Sequence, residues 1–339
     1  MQNVAVQVFF VLSGYLIAGT LVRNQGAGFG SYLVDRAARI YSGLLPALCA
    51  VWFFDSIHAR LGAPELSSML TLGTAIGNVF MFQNWQGSFK GWLAVPALGS
   101  NGPLWTVAIE WWIYVFVGAL YFLSRSRRPW VTVALAAVAA PMPMRYLFHD
   151  VQTGVGTGLF SLWLMGFAAF FLQRREVLGR FSAGVTALAG AATVAWYWHR
   201  LSPGNEYAPD LYPALALAFA FSVAVAKRVP DGYVPNSLRR MIRIVARYSY
   251  TLYLIHYPFV YLISKTVATH PVMGAGIAFS AANVIALALA FPTEMKHKAL
   301  ASWLKALLGL ADMRQGALAA RAASFREQGA QERFPGNDK

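Results

Sequence analysis

An all-α, polytopic transmembrane helix bundle is the fold class this sequence predicts, and three observations predict it. Of 339 residues, 57% are hydrophobic and 12% charged, about half the charge of a typical soluble domain. Apolar runs long enough to cross a bilayer, at ~20 residues each, recur along most of the chain. Basic residues cluster in alternate connections. Apart from Arg60, Lys90, Arg145, Arg200 and Lys265, all 28 Lys and Arg fall at 23–39, 124–129, 173–182, 227–247 or from 296 onward. The positive-inside rule makes those segments cytoplasmic. It also accounts for the net charge of +14 without nucleic acid. The one cysteine, Cys49, excludes an internal disulfide and lies near no metal-ligand pattern.

The spanning runs lie at 3–22, 40–58, 103–123, 130–148, 154–172, 183–199, 210–226, 248–267 and 273–292, about nine in all. A shorter, more polar run at 67–82 is predicted to be re-entrant or interfacial, because a full crossing there would carry the basic cluster 125–128 to the outer side. The first run then enters from outside and the C-terminus is cytoplasmic. Because an inserted bundle usually begins inside, the pattern predicts a further helix ahead of Met1. The first run has neither a basic flank nor a small-residue cleavage site, so it does not read as a signal peptide. After a bundle over 1–295, residues 296–312 are predicted to form an interfacial amphipathic helix. In it, Leu300, Trp303, Leu304, Leu307 and Leu308 make an apolar stripe beside Lys296, Lys298 and Lys305. The polar, Ala/Gly-rich segment 313–339 reads as a cytoplasmic tail.

The stretch 101–114 carries the clearest chemical signal. Asn101 is predicted to cap a helix with Pro103 in its first turn. Inside the apolar run that follows stands one carboxylate, Glu110. A charge in hydrocarbon costs several kcal/mol, so such an acid normally faces a cavity or a partner. Thr106, Glu110 and Tyr114 are spaced four apart and share its face. Ser13 and Gly14, mid-run in 3–22, are small enough for close helix packing or for the approach of a slender ligand. Arg36 and Arg39 share a helix face at the cytoplasmic end of the next span, where they suit either a positive-inside anchor or a phosphate-bearing ligand. His256 stands on the order of 12 Å into its span, on a face shared with Ser249 and Tyr253. Pro258 there cannot donate to the carbonyl of Leu254, so the helix is opened beside the imidazole. A structural histidine and an acid–base group are both compatible with that setting. No pair of histidines has zinc spacing, and there is no nucleophile elbow or phosphate loop.

Taken together, these stretches resemble the acyltransferase family 3 membrane proteins. Phe9-Phe10-Val11-Leu12-Ser13-Gly14-Tyr15-Leu16-Ile17 resembles the family's Phe-Phe-x-Leu-Ser-Gly-[Phe/Tyr]-Leu-Ile segment, and Arg36-x-x-Arg39-Ile40 its basic pair. Pro103-Leu104-Trp105-Thr106 through Glu110 resembles its Pro-Leu-Trp-Ser-Leu-x-x-Glu segment, with Thr106 in place of Ser. Residues 248–256 resemble its Tyr-Ser-x-x-Leu-Tyr-Leu-x-His segment. The order of the four blocks is kept, over roughly Met1 to Phe291. Three departures stand out. The proline soon after the basic pair appears only at Pro46, and the usual glutamate-proline ending is altered to Phe291-Pro292-Thr293-Glu294. The family's first helix, with an arginine and the histidine held to be catalytic, has no counterpart after Met1.

The resemblance implies transfer of an acyl group, acetyl by default, from cytoplasmic acyl-CoA to a hydroxyl of an extracytoplasmic or lipid-linked glycan. The setting is a bacterial inner membrane, with membrane lipid around the bundle and no metal or nucleic acid. Arg36 and Arg39 would take the CoA phosphates, and Ser13 and Gly14 would flank its pantetheine arm. Glu110 and His256 would support the reacting groups. The outer loop 199–210 is a candidate contact for the glycan. Two readings compete with this one: a transporter of a glycan or small anion, and a truncated, catalytically inactive family member.

Overall fold

Most of the apolar sequence in the described part of the chain becomes helix, because a backbone in hydrocarbon must satisfy its own polar groups. The computed structural model describes residues 2–24, 28–85, 93–126, 128–147, 156–202, 204–230, 232–266 and 271–310. In order, the helices are α1 (Gln2–Arg23), α2 (Phe29–Leu61), α3 (Leu72–Val79), α4 (Leu104–Phe122), α5 (Pro129–Ala139), α6 (Pro141–Arg145), α7 (Leu159–Arg174), α8 (Ala183–Arg200), α9 (Tyr212–Ala226), α10 (Asn236–Thr266), α11 (Pro271–Ala290) and α12 (His297–Leu307). Among the described residues the only β pairing is an isolated bridge between Gln83 and Val95.

Among the described residues, five helical segments are long and apolar enough to cross a membrane: Asn3–Arg23, Phe29–Leu61, Leu104–Arg125, Pro209–Ala226 and Val272–Leu307. The protein is therefore a helical membrane protein, and local causes account for the distance from about nine predicted spans. The run 130–148 is divided at Ala140, ahead of Pro141 and Pro143, into α5 and α6. The α7 helix has only 16 residues. In α8, Gly184, Gly190, Trp196 and Tyr197 dilute the hydropathy. In α10 the part after Arg247 carries Tyr248, Ser249, Tyr250, Tyr253, His256 and Tyr257, which keep its hydropathy low. The 67–82 run forms a 3-10 turn, Pro64–Met69, followed by α3. The eight residues of α3 reach only ~12 Å, too short to span. The segment expected as a tail, 313–339, lies outside the described residues.

The α4 helix sits among α1, α2, α5 and α6. Its Gly118 faces the ring of Tyr32, where a Cβ would stand 2.3 Å from the nearest ring carbon. The most extensive pairing joins α1 to α7, and next is α10 to α11. Gly14 and Gly166 make the α1–α7 crossing possible. A Cβ on Gly14 would fall 2.0 Å from the carbonyl oxygen of Trp163, and one on Gly166 2.1 Å from that of Val11. Backbone meets backbone there, the kind of contact that holds helices together where no hydrophobic force acts between them. The α12 helix lies on α2 and is tied to it by Lys305 Nζ, 2.8 Å from Asp35 Oδ1. Its Trp303 and Leu307 face outward.

Candidate active site

Thr106, Glu110 and Tyr114 lie one turn apart on α4, and the structure buries all three. Glu110 Oε1 accepts from Ser13 Oγ of α1 at 3.0 Å and also from the Tyr114 hydroxyl. Ser13 Oγ in turn accepts from Trp163 Nε1 of α7 at 3.1 Å and stands 2.9 Å from the Tyr114 oxygen. One buried carboxylate thus ties α1, α4 and α7 together. Gly14, the neighbour of Ser13, is taken up by the α1–α7 crossing, and its small size serves the approach of Trp163's backbone.

Arg36 and Arg39 act electrostatically on Glu110 from α2. Their local situations differ. Arg39 Nη1 pairs with Glu294 Oε1 at 2.6 Å, and its guanidinium lies 5.5 Å from the ring centroid of Tyr250. Glu294 is fully buried, and its Oε2 accepts from the backbone N–H and hydroxyl of Thr251, at 2.9 and 2.7 Å. Arg36 Nε is buried with no hydrogen-bond partner among the described residues. A phosphate oxygen would satisfy that donor, whereas Arg39 is already neutralised.

His256 is tied to Tyr253 of its own helix. Its Nδ1 meets the carbonyl of Tyr253 at 2.8 Å. A carbonyl only accepts, so Nδ1 carries the proton and Nε2 of the neutral ring is left as the acceptor. Tyr253 Oη donates to the carbonyl of Pro103 at 3.1 Å, stands 2.5 Å from Thr106 Oγ1, and its ring stacks on Phe9 at 6.3 Å. The contacts of His256 thus lead to Tyr253, whose hydroxyl meets Thr106, one turn before Glu110 on α4.

Asn101 does not cap α4. The N-cap position is Pro103, without a side-chain cap bond. Asn101 Nδ2 instead donates at 2.5 Å to the carbonyl of Leu254, the group that Pro258 leaves without a partner. The loop bearing Asn101 is itself held from α2. Asp55 is fully buried and accepts from the backbone N–H of Ser100 at 2.7 Å and from its hydroxyl at 3.0 Å. Gly99 has φ +56°, and a Cβ there would fall 2.1 Å from Asp55 Oδ2. His58 Nδ1 stands 3.6 Å from Asp55 Oδ1. Among the described residues, no group of three or more His, Cys, Asp and Glu is arranged to hold a metal.

The loop after α8 also comes close to this cluster. Gln7 of α1 donates to the carbonyl of Glu206 and accepts from Tyr197 Oη at 2.9 Å. Burial, with Tyr253 and Glu206 nearby, pushes the Tyr207 phenol well above its ordinary range.

The sequence pointed to Ser13, Arg36, Arg39, Thr106, Glu110, Tyr114, Tyr253 and His256. It missed Asp55, Trp163, Tyr250 and Glu294. Asp55 carried the same signal as Glu110, an acid within an apolar run. Glu294 was visible only as an altered motif. Trp163 and Tyr250 are aromatic residues in aromatic-rich runs and carried no distinguishing pattern.

A family described as an acyltransferase domain, acyltransferase 3, matches residues 1–293. The peptidoglycan O-acetyltransferase OatA of Listeria monocytogenes is 27% identical over 323 residues, covering 85% of this chain and 50% of that protein. The putative peptidoglycan O-acetyltransferase YrhL of Bacillus subtilis is 27% identical over 286 residues, 76% of this chain and 44% of that protein. An O-acetyl transferase of Shigella phage Sf6 is 23% identical over 267 residues, 78% and 75% of the two chains. The chain spans about half the length of the first two relatives. No solved structure matches.

Proposed function

The chain belongs to the acyltransferase 3 family, and from that premise we propose that it moves an acetyl group from cytoplasmic acetyl-CoA to a hydroxyl of an extracytoplasmic or lipid-linked glycan. The observation that carries this reading is the carboxylate of Glu110. It is buried at the meeting point of three helices, with two guanidinium groups acting on it from α2 and with Thr106, one turn away on α4, meeting the hydroxyl of Tyr253. The O-acetyltransferase names of the relatives support the acetyl group and the glycan acceptor. Basic loops on one side support a bacterial inner-membrane protein with a cytoplasmic C-terminus.

In this reading Arg36 offers its unpaired Nε to a CoA phosphate, and Arg39, fixed by Glu294, supplies positive field rather than a displaceable donor. The pantetheine arm passes the Ser13 side of α1. Gly14 lies on the crossing with α7, so its part is to hold the wall of that passage. Glu110 orients the hydroxyls of Ser13 and Tyr114. His256, with Nε2 unprotonated, accepts a hydrogen bond from the incoming hydroxyl. Acyl transfer then needs a base for that hydroxyl and a donor for the oxygen that gains charge.

The test is transfer of radiolabelled acetyl from acetyl-CoA to glycan on the outer face of membranes carrying the full chain. Glu110→Gln and Arg39→Ala are expected to abolish transfer while the protein stays in the membrane. Full activity in either variant would remove the site from the reaction.

A further inference from the structure

Most hydrogen-bond donors around Glu110 are committed. Ser13 and Tyr114 donate to the carboxylate, Trp163 to Ser13, and Tyr253 to the carbonyl of Pro103. Tyr250 is the exception among the hydroxyls. It is 9% exposed, and its Oη is buried with no hydrogen-bond partner among the described residues. Buried tyrosine hydroxyls usually find a partner, so an orphaned one calls for an explanation.

The ring is held firmly. It lies on Gly43 of α2, where a Cβ would come within 2.8 Å of a ring carbon, and the Arg39 guanidinium covers it at 5.5 Å. Its chain neighbour Thr251 is anchored by two hydrogen bonds to Glu294. Arg39, Glu294, Tyr253 and Glu110 all lie within electrostatic range of the phenol. It therefore stands beside the Arg39 guanidinium and within electrostatic range of the Glu110 carboxylate, beside which the thioester of the acyl donor would lie. A fixed donor with nothing to donate to suits an incoming group that only accepts. A thioester carbonyl oxygen is such a group, and its demand for a donor grows as the reaction proceeds.

We propose that the Tyr250 hydroxyl is the donor that receives the carbonyl oxygen of the acyl donor's thioester, which makes Tyr250 a catalytic residue. The assignment rests on the acyl-CoA reading given above. In the step concerned, the acceptor's hydroxyl oxygen bonds to the thioester carbon and the carbonyl π pair moves onto oxygen, where Tyr250 holds it. The C=O bond then re-forms, the C–S bond breaks, and the hydroxyl proton ends on the departing sulfur, so that an ester is made and a thiol leaves. Tyr250 lies outside the residues by which the sequence resembled its family, at one of the unspecified positions of the 248–256 segment.

The test uses the full chain with Tyr250→Phe, which removes the oxygen and keeps the ring on Gly43. Two CoA derivatives are compared as ligands: a ketone with a methylene between sulfur and carbonyl, and the S-propyl thioether, which has no such carbonyl. The wild type is expected to bind the ketone at least fivefold more tightly than the thioether. Tyr250→Phe should bind both equally, at the wild-type thioether affinity, and lose at least tenfold in kcat, with KM for acetyl-CoA raised by no more than the fivefold lost in ketone binding. Retained ketone preference, or an unchanged kcat, would overturn the proposal. Failure of the variant to accumulate in membranes would overturn it too, by making the hydroxyl structural. If the wild type binds neither compound, the acyl-CoA reading itself falls, a result distinct from the loss of carbonyl preference alone.

Discussion

Glu294 and Arg39 show how far a single residue's meaning can depend on another. Removing a carboxylate from a buried pair leaves a charge without its partner, which is costlier than removing both. Glu294→Gln is expected to lower stability by about 1–3 kcal/mol, since Thr251 keeps an acceptor and Arg39 loses its counter-charge. Arg39→Leu with Glu294→Leu should melt closer to the wild type than either single change does, and should still fail to transfer acetyl. A thermal double-mutant cycle in one detergent checks the coupling. Legibility at this scale follows from isolation in sequence. Glu110 stood out as the lone acid of an apolar run. Asp55 stood in a similar run, and only the fold shows that Ser100 occupies it. Glu294 and Arg39 are 255 residues apart, a separation across which no spacing rule operates. Tyr250 is marked by a missing partner, and a missing partner leaves no trace in a sequence.

Among the elements, α10 and the loop before α4 belong together. Pro258 deprives the carbonyl of Leu254 of its helical donor, and Asn101 replaces it from a different part of the chain. Asn101→Ala should therefore cost about 1–3 kcal/mol, the penalty of a buried acceptor left bare. Pro258→Ala restores the N–H, so the same asparagine change made in that background should cost much less. Unfolding of the four proteins under one condition decides it, and equal costs in the two backgrounds would break the link. The existence of the helices was legible because apolar runs of this length have few other fates. Their limits were less so. Prolines divided 130–148, and the four arginines at the start of α10 extended that helix beyond its apolar part. The opening of α10 at Pro258 was foreseen from one residue, whereas its repair needed knowledge of a neighbour.

For the whole molecule, the central place of α4 was foreshadowed by a run that is apolar on nearly every face. Its neighbours were not, because pairing in lipid depends on shapes such as the Gly14–Gly166 crossing, and a glycine names no partner. The proposed orientation rests on charge and can be checked directly. With Cys49, which is exposed, replaced by alanine, Asp210→Cys should react with an impermeant maleimide on intact cells. Ser302→Cys should react only once the inner membrane is opened, and the reverse pattern would invert the proposed topology. The Arg39–Glu294 pair also bears on biogenesis. By the time the ribosome has delivered α9 to the insertion machinery, α2 is already in place with a guanidinium whose counter-ion has yet to be translated. The early half of the protein must wait in the bilayer, electrostatically incomplete, until α11 has entered and Glu294 arrives. Final assembly is thus a late, post-insertional event, and the membrane releases a finished enzyme only when the end of the domain closes on its beginning.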